Sequence, residues 1–153
     1  MRHILINALL TFGILSGLTA CTTNYIHPVR VLKDPNHTEI ASIRTHFHES
    51  YVVIYNPDTC KQIGDACSFF ISHAYAHHRL DHSLLRPKYY PTLSENQADC
   101  YVAKYADLEV LQAVIELLED ENRSPNLKIH GNALKRAENI RNCAINAGNW
   151  TKS

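Results

Sequence analysis

The sequence has no surplus of charge of either sign: 15 Lys plus Arg stand against 15 Asp plus Glu. Without a long basic or acidic run, nothing pulls the chain toward nucleic acid or an anionic surface, and no nucleic-acid partner is expected. No C-x-x-C occurs among the five cysteines, which argues against a zinc site built from thiolates. An internal repeat and a low-complexity tract are both lacking, which excludes a stacked repeat array. At 153 residues the chain can bury one core and is too short for two domains of ordinary size.

What is there begins with a segment of different character. Arg2 and His3 precede an apolar run from Ile4 to Leu18, short of the roughly twenty residues that a bilayer-spanning helix needs. A charged start followed by a short apolar run reads as a secretory signal peptide, residues 1–20. Its end, Leu18-Thr19-Ala20-Cys21, resembles the bacterial lipobox, in which the cysteine is acylated and becomes the new N-terminus. Several acyl chains on Cys21 would hold the protein firmly on a lipid bilayer. Thr22 stands where retained lipoproteins carry Asp, so the resemblance to Gram-negative lipoproteins implies the outer membrane, facing the periplasm. The other cysteines, Cys60, Cys67, Cys100 and Cys143, form an even set in an exported chain and read as a disulfide framework with three connectivities. Proximity of Cys60 to Cys67 around a helix start, and the placing of Cys100 and Cys143 in two helices, favour pairing 60–67 and 100–143.

Residues 21–35 are polar and contain proline, and are expected to act as a tether, with an edge strand available at Val29-Arg30-Val31-Leu32. Ile40 to Phe47 and Tyr51 to Tyr55 are rich in β-branched and aromatic residues and predict a β-hairpin, stopped at Asn56-Pro57-Asp58. His46 and His48 fall on one face of the first strand and read as surface residues. From Asp65 to His82, apolar residues and histidines recur at three- and four-residue steps, predicting a helix. Two prolines, Pro87 and Pro91, are expected to delay the next helix until Ser94 serves as its N-cap, with Gln97 completing a capping box. A third helix over Leu108 to Asp120 carries an apolar stripe and reads as scaffold. A fourth runs from Asn132 to Ala147 and ends at Gly148. The predicted fold class is α+β: a mainly helical domain with a small antiparallel β-hairpin or sheet.

The stretch that the rest is arranged around is His73-Ala74-Tyr75-Ala76-His77-His78. His73 and His77 are i and i+4, so on a helix their imidazoles lie on one face a turn apart, where two nitrogens can grip one metal ion. Glu95-Asn96-Gln97-Ala98-Asp99 follows and offers a carboxylate ligand, and two histidines with a glutamate form a known catalytic zinc set. With these residues the chain resembles the gluzincin zinc metallopeptidases, and among them minimal periplasmic members related to the CAAX-prenyl and heat-shock membrane proteases. The resemblance runs from Val53 through His82 and Glu95 to Tyr101, then to His130 through Cys143. It implies a minimal zincin-like domain over residues 36–153, Zn(2+) held by His73, His77 and Glu95, and Asp99 as the acid orienting a ligand histidine. It also implies that His82 is structural and that Arg136 and Ile140 belong to the terminal segment, where His130 reads either as an oxyanion donor near the site or as a solvated loop histidine.

One residue departs from the pattern: Ala74 occupies the position of the general base. In H-E-x-x-H peptidases that glutamate takes the proton of the attacking water and passes it to the leaving amine, and alanine can do neither. Tyr75 cannot replace it, being about 100° further round the helix. The sequence therefore leads to a membrane-anchored envelope lipoprotein whose zinc-binding, catalytically degenerate domain works by binding an envelope protein or peptide. The alternatives are an active zinc-dependent metalloendopeptidase and a metal buffer drawing on the ten histidines.

Overall fold

The structure is a computed structural model and describes residues 29–45, 51–82, 91–120, 122 and 132–150. Three strands, β1 (Arg30–Lys33), β2 (Ala41–Thr45) and β3 (Tyr51–Tyr55), precede five helices: α1 (Pro57–Ile63), α2 (Ala66–Arg79), α3 (Pro91–Tyr105), α4 (Leu108–Glu119) and α5 (Ala133–Asn146). The mainly helical α+β class expected from the sequence is what the chain adopts.

The sheet has the order β1-β3-β2. The hairpin partners β2 and β3 are antiparallel, with Ile43 opposite Val53. The sheet is mixed rather than antiparallel throughout, because β1 joins β3 in parallel, with Val31 beside Val53. Val52 and Val53 point to opposite faces of β3 and both are buried, so the central strand is covered on two sides. That strand addition shortens the expected tether: Arg30–Lys33, inside the 21–35 stretch, belongs to the sheet.

Asn56-Pro57-Asp58 ends β3 as expected, and it also starts a helix that the sequence reading lacked. The Asn56 side chain accepts from the backbone N–H groups of Asp58 and Thr59, and Pro57 takes the first helical position. Asparagine at the cap and proline at the first position suit a helix start, since the proline nitrogen lies where no intrahelical bond is made. The same asparagine donates through Nδ2 to the carbonyls of Pro35 and His37, tying the loop before β2 to the start of α1.

Helices α2, α3, α4 and α5 enclose one core. Phe69 and Phe70 from α2, Val102 from α3, Leu111, Val114, Ile115 and Leu118 from α4, and Ile140 from α5 are all buried in it. The positions Leu111, Val114, Ile115 and Leu118 are the stripe that the sequence shows, at steps of three and four. Fully burying each such side chain contributes about 1.5–3 kcal/mol. Small residues, Ala98 and Ala103 on α3 and Ala137 and Ala144 on α5, are fully buried and let helix backbones approach closely. α5 closes as expected: Gly148 has φ +74°, Gly148 N–H donates to Ile145 C=O and Asn149 N–H to Ala144 C=O. Asn149 Nδ2 then donates to the carbonyls of Ala103 and Ala106, docking the end of α5 on the end of α3.

Two disulfides complete the frame. Cys60–Cys67 joins α1 to α2, and Cys100–Cys143 joins α3 to α5, which are the pairings expected from the sequence. The second bridge follows Asp99 by one residue, so it ties α3, which carries Asp99, to α5. Among the described residues no helix is long and apolar enough to cross a membrane.

Candidate metal centre

His73 and His77 sit on the half of α2 that faces α3, one turn apart as the i, i+4 spacing requires. Their Nε2 atoms are 3.0 Å from each other. From α3, Glu95 places Oε2 3.0 Å from His73 Nε2 and Oε1 3.3 Å from His77 Nε2. Three ligand atoms thus converge on one point, and the group His73, His77 and Glu95 could hold a metal ion. Tetrahedral bonds of about 2.0–2.1 Å put neighbouring donors about 3.3–3.4 Å apart, and one ligand atom from each of the three residues lies within 4.8 Å of the others. Two neutral imidazoles and a carboxylate suit a borderline divalent cation such as zinc, although the donor set alone does not single out one metal. The His73 side chain is 8% exposed against 19% for His77 and for Glu95. The solvent side of the cluster therefore lies at the latter two.

Behind His73 lies a buried ion pair. His73 Nδ1 is 2.8 Å from Asp99 Oδ1, and Asp99 is fully buried. Arg136, from α5, donates to both oxygens of that carboxylate, Nε to Oδ2 at 2.6 Å and one terminal nitrogen to Oδ1 at 2.7 Å. Since His73 Nδ1 donates its proton to Asp99, the 3.3 Å approach of the same arginine nitrogen to Nδ1 is a neighbouring contact and not a bond. The guanidinium also lies 5.5 Å from the centroid of the Phe70 ring. Burial works against charge on Asp99, but the bonds from Arg136 and His73 outweigh it and hold the carboxyl below its usual range. Burial likewise disfavours the imidazolium of His73, yet the bonds to Asp99 and Glu95 outweigh it and raise its pKa. The raised pKa favours a second proton on His73, at Nε2 toward Glu95 Oε2.

Behind His77 lies a second imidazole. His82 Nδ1 is 3.0 Å from His77 Nδ1, and His82 Nε2 is 3.1 Å from Gln97 Oε1. His82 is buried. That burial, then the nearness of His77, lower its pKa, with Gln97 offsetting part of the effect.

The four residues assigned from the sequence, His73, His77, Glu95 and Asp99, are therefore brought together. The element carrying two of them begins earlier than expected: α3 starts at Pro91, because proline is tolerated at the first position of a helix. Ser94 is consequently inside the helix rather than its N-cap, Glu95 opens the second turn, and Gln97 bonds His82 instead of completing a capping box. Two roles were missing from the sequence reading, those of Arg136 and His82. Arg136 carried a signal, since a cation among Ala133, Ala137, Ile140 and Ala144 on one helix face implies a buried acid partner. Ala74 is 2% exposed. Cys21, His46, His48 and His130 lie outside the described residues.

Compared with protein-family models, with curated proteins and with solved structures, the chain matches none of them.

Proposed function

We propose that this chain is a membrane-anchored envelope lipoprotein whose domain binds zinc through His73, His77 and Glu95 and acts by binding a protein or peptide rather than by cleaving one. The observation that carries this reading is the convergence of three ligand atoms from α2 and α3 beside a position, Ala74, that has no proton-carrying side chain and is buried. Zinc held there would supply Lewis acidity and a fixed point of positive charge. The chain's own residues hold the site in shape: Asp99 and Arg136 set the ring of His73, and Glu95 closes the third corner. None of these can serve as the missing base without leaving its post, since Glu95 is needed as ligand and Asp99 is enclosed by Arg136 and His73. General-base catalysis contributes typically about 10²–10⁴-fold, so a site without it falls far short of a working protease. The anchoring part of the proposal rests on Leu18-Thr19-Ala20-Cys21.

The experiment is turnover of a broad peptide library by the full-length protein, with zinc and with chelator. No chelator-sensitive cleavage is expected. Cleavage that zinc supports and chelator abolishes would make the domain an active metalloendopeptidase despite Ala74.

A further inference from the structure

We infer that His82 is a positioning residue for the metal centre, fixing the tautomer of His77 so that its Nε2 lone pair faces the metal; the inference rests on the zinc-site reading above. The contacts form one row: Glu95 and His77 at Nε2 of His73, His82 at Nδ1 of His77, and Gln97 at Nε2 of His82. A neutral imidazole has one N–H and one bare nitrogen, so the rings of His77 and His82 give the row a direction, while His73, whose Nδ1–H is on Asp99, takes a second proton when its Nε2 is also protonated. In one direction the Nε2–H of His73 is shared between Glu95 and the bare Nε2 of His77. His77 then donates from Nδ1 to the bare Nδ1 of His82, and His82 donates from Nε2 to the carbonyl oxygen of Gln97. Each of these contacts then has one proton, while His77 Nε2 and Glu95 Oε1, facing each other at 3.3 Å, are the two acceptors between which the ion would enter. In the opposite direction His77 carries its proton on Nε2 and so cannot ligate. The bare Nε2 of His73 then faces Glu95 Oε2 at 3.0 Å with no proton between two acceptors. The first direction keeps a proton in the 3.0 Å contact of His73 with Glu95 and leaves Nε2 of His77 bare for the ion, which then has only the Nε2 proton of His73 to displace.

The backbone supplies an independent observation. α2 ends in a Schellman closure: Asp81 N–H donates to His78 C=O at 3.1 Å and His82 N–H to His77 C=O at 2.9 Å. That closure requires a left-handed residue, usually glycine, at the position before His82. Here it is Asp81, with φ +55°, the one non-glycine residue of positive φ among the described residues. Such a conformation is disfavoured for a side-chain-bearing residue. It is held where it doubles His82 back on His77, so that backbone and ring both bond the same ligand residue. An apolar contact usually accompanies this closure; two imidazoles replace it.

The test uses the full-length protein in mild detergent, with His82→Phe, which keeps a ring of similar size but no acceptor, and His82→Gln, whose carbonyl can accept from His77 Nδ1–H. Zinc affinity is measured by competition with a chromophoric chelator. The histidine tautomers of the metal-free wild type are read from imidazole ¹⁵N shifts. His82→Phe is expected to lose about 10–100-fold in affinity, the usual effect of removing a partner behind a ligand, and His82→Gln to regain most of it. His77 is expected to carry its proton on Nδ1, which a merely structural role for His82 would not require. Equal affinity in wild type and His82→Phe, or a His77 proton on Nε2, would overturn the inference. Should the wild type bind no zinc, the zinc-site reading falls, while the ¹⁵N shifts still decide whether His82 sets the tautomer.

Discussion

At the scale of single residues, the site depends on a charge that is buried before any metal arrives. Asp99 is enclosed by Arg136 and His73, and removing one partner of such a pair leaves the other uncompensated, which costs about 3–5 kcal/mol. Arg136→Met should lower the unfolding free energy by about that amount in chemical denaturation; a loss under about 1 kcal/mol would mean the pair is not closed in solution. Protonation gives a second test. Because His73 is raised by its acid partners, the folded metal-free protein holds that proton more tightly than the unfolded chain does. Its contribution to stability is full below the unfolded value of about 6.5 and is lost as pH rises through the raised folded value. Asp99 works the other way: its depressed pKa contributes above the ordinary carboxylate range and is lost as pH falls through the folded value. With chelator present, thermal unfolding scanned from about pH 5 to about pH 9 should show stability falling toward the alkaline end. Zinc affinity should rise over the same range, since the ion must displace the His73 proton. A metal-free stability that climbs with pH above neutrality would contradict the assignment of His73.

At the scale of elements, what was legible in the sequence was what a single helix or hairpin encodes by itself. His73 and His77 were readable because i, i+4 on a helix is a local geometric fact. The stripe on α4, the β2–β3 hairpin and the glycine ending α5 were readable for similar reasons. The start of α3 was not, because proline is a barrier within a helix and equally a first helical residue, and the second role moves Glu95 on by a turn. α1 was missed because Asn56-Pro57-Asp58 satisfies the rules for a strand end and for a helix start together. Arg136 and His82 act across elements, on α5 and beyond the end of α2; the apolar face around Arg136 implies a buried acid but not which one, and His82 has no such face around it. The end of α2 was hidden further by having Asp81 where glycine is the common signal. At that position Asp81→Gly should fold at least as well and bind zinc as the wild type does, since glycine adopts positive φ freely. Asp81→Val should lose about 1–2 kcal/mol, and its zinc affinity should fall with it. Identical affinity in the valine variant would show that the closure of α2 does not position His82.

For the whole molecule, the two disulfides and the sheet decide how the centre is held and where it can sit. Cys100–Cys143 locks α3 against α5 next to the contact of Asp99 with Arg136. Each bridge should contribute about 2–4 kcal/mol, and reduction should weaken zinc binding together with stability; an unchanged melting temperature under reductant would rule that out. Since β1 begins at Arg30, an acyl anchor at Cys21 would leave only residues 22–29 between lipid and sheet, a reach of at most about 26–29 Å fully extended. The domain would then work close to the membrane surface. The most direct measurement is the metal content of the full-length protein beside His73→Ala, His77→Ala and Glu95→Ala. The expected result is close to one zinc per chain in the wild type and loss of it in each variant. A wild type without zinc, several loosely held ions, or zinc retained by all three variants would contradict a single centre built from these residues.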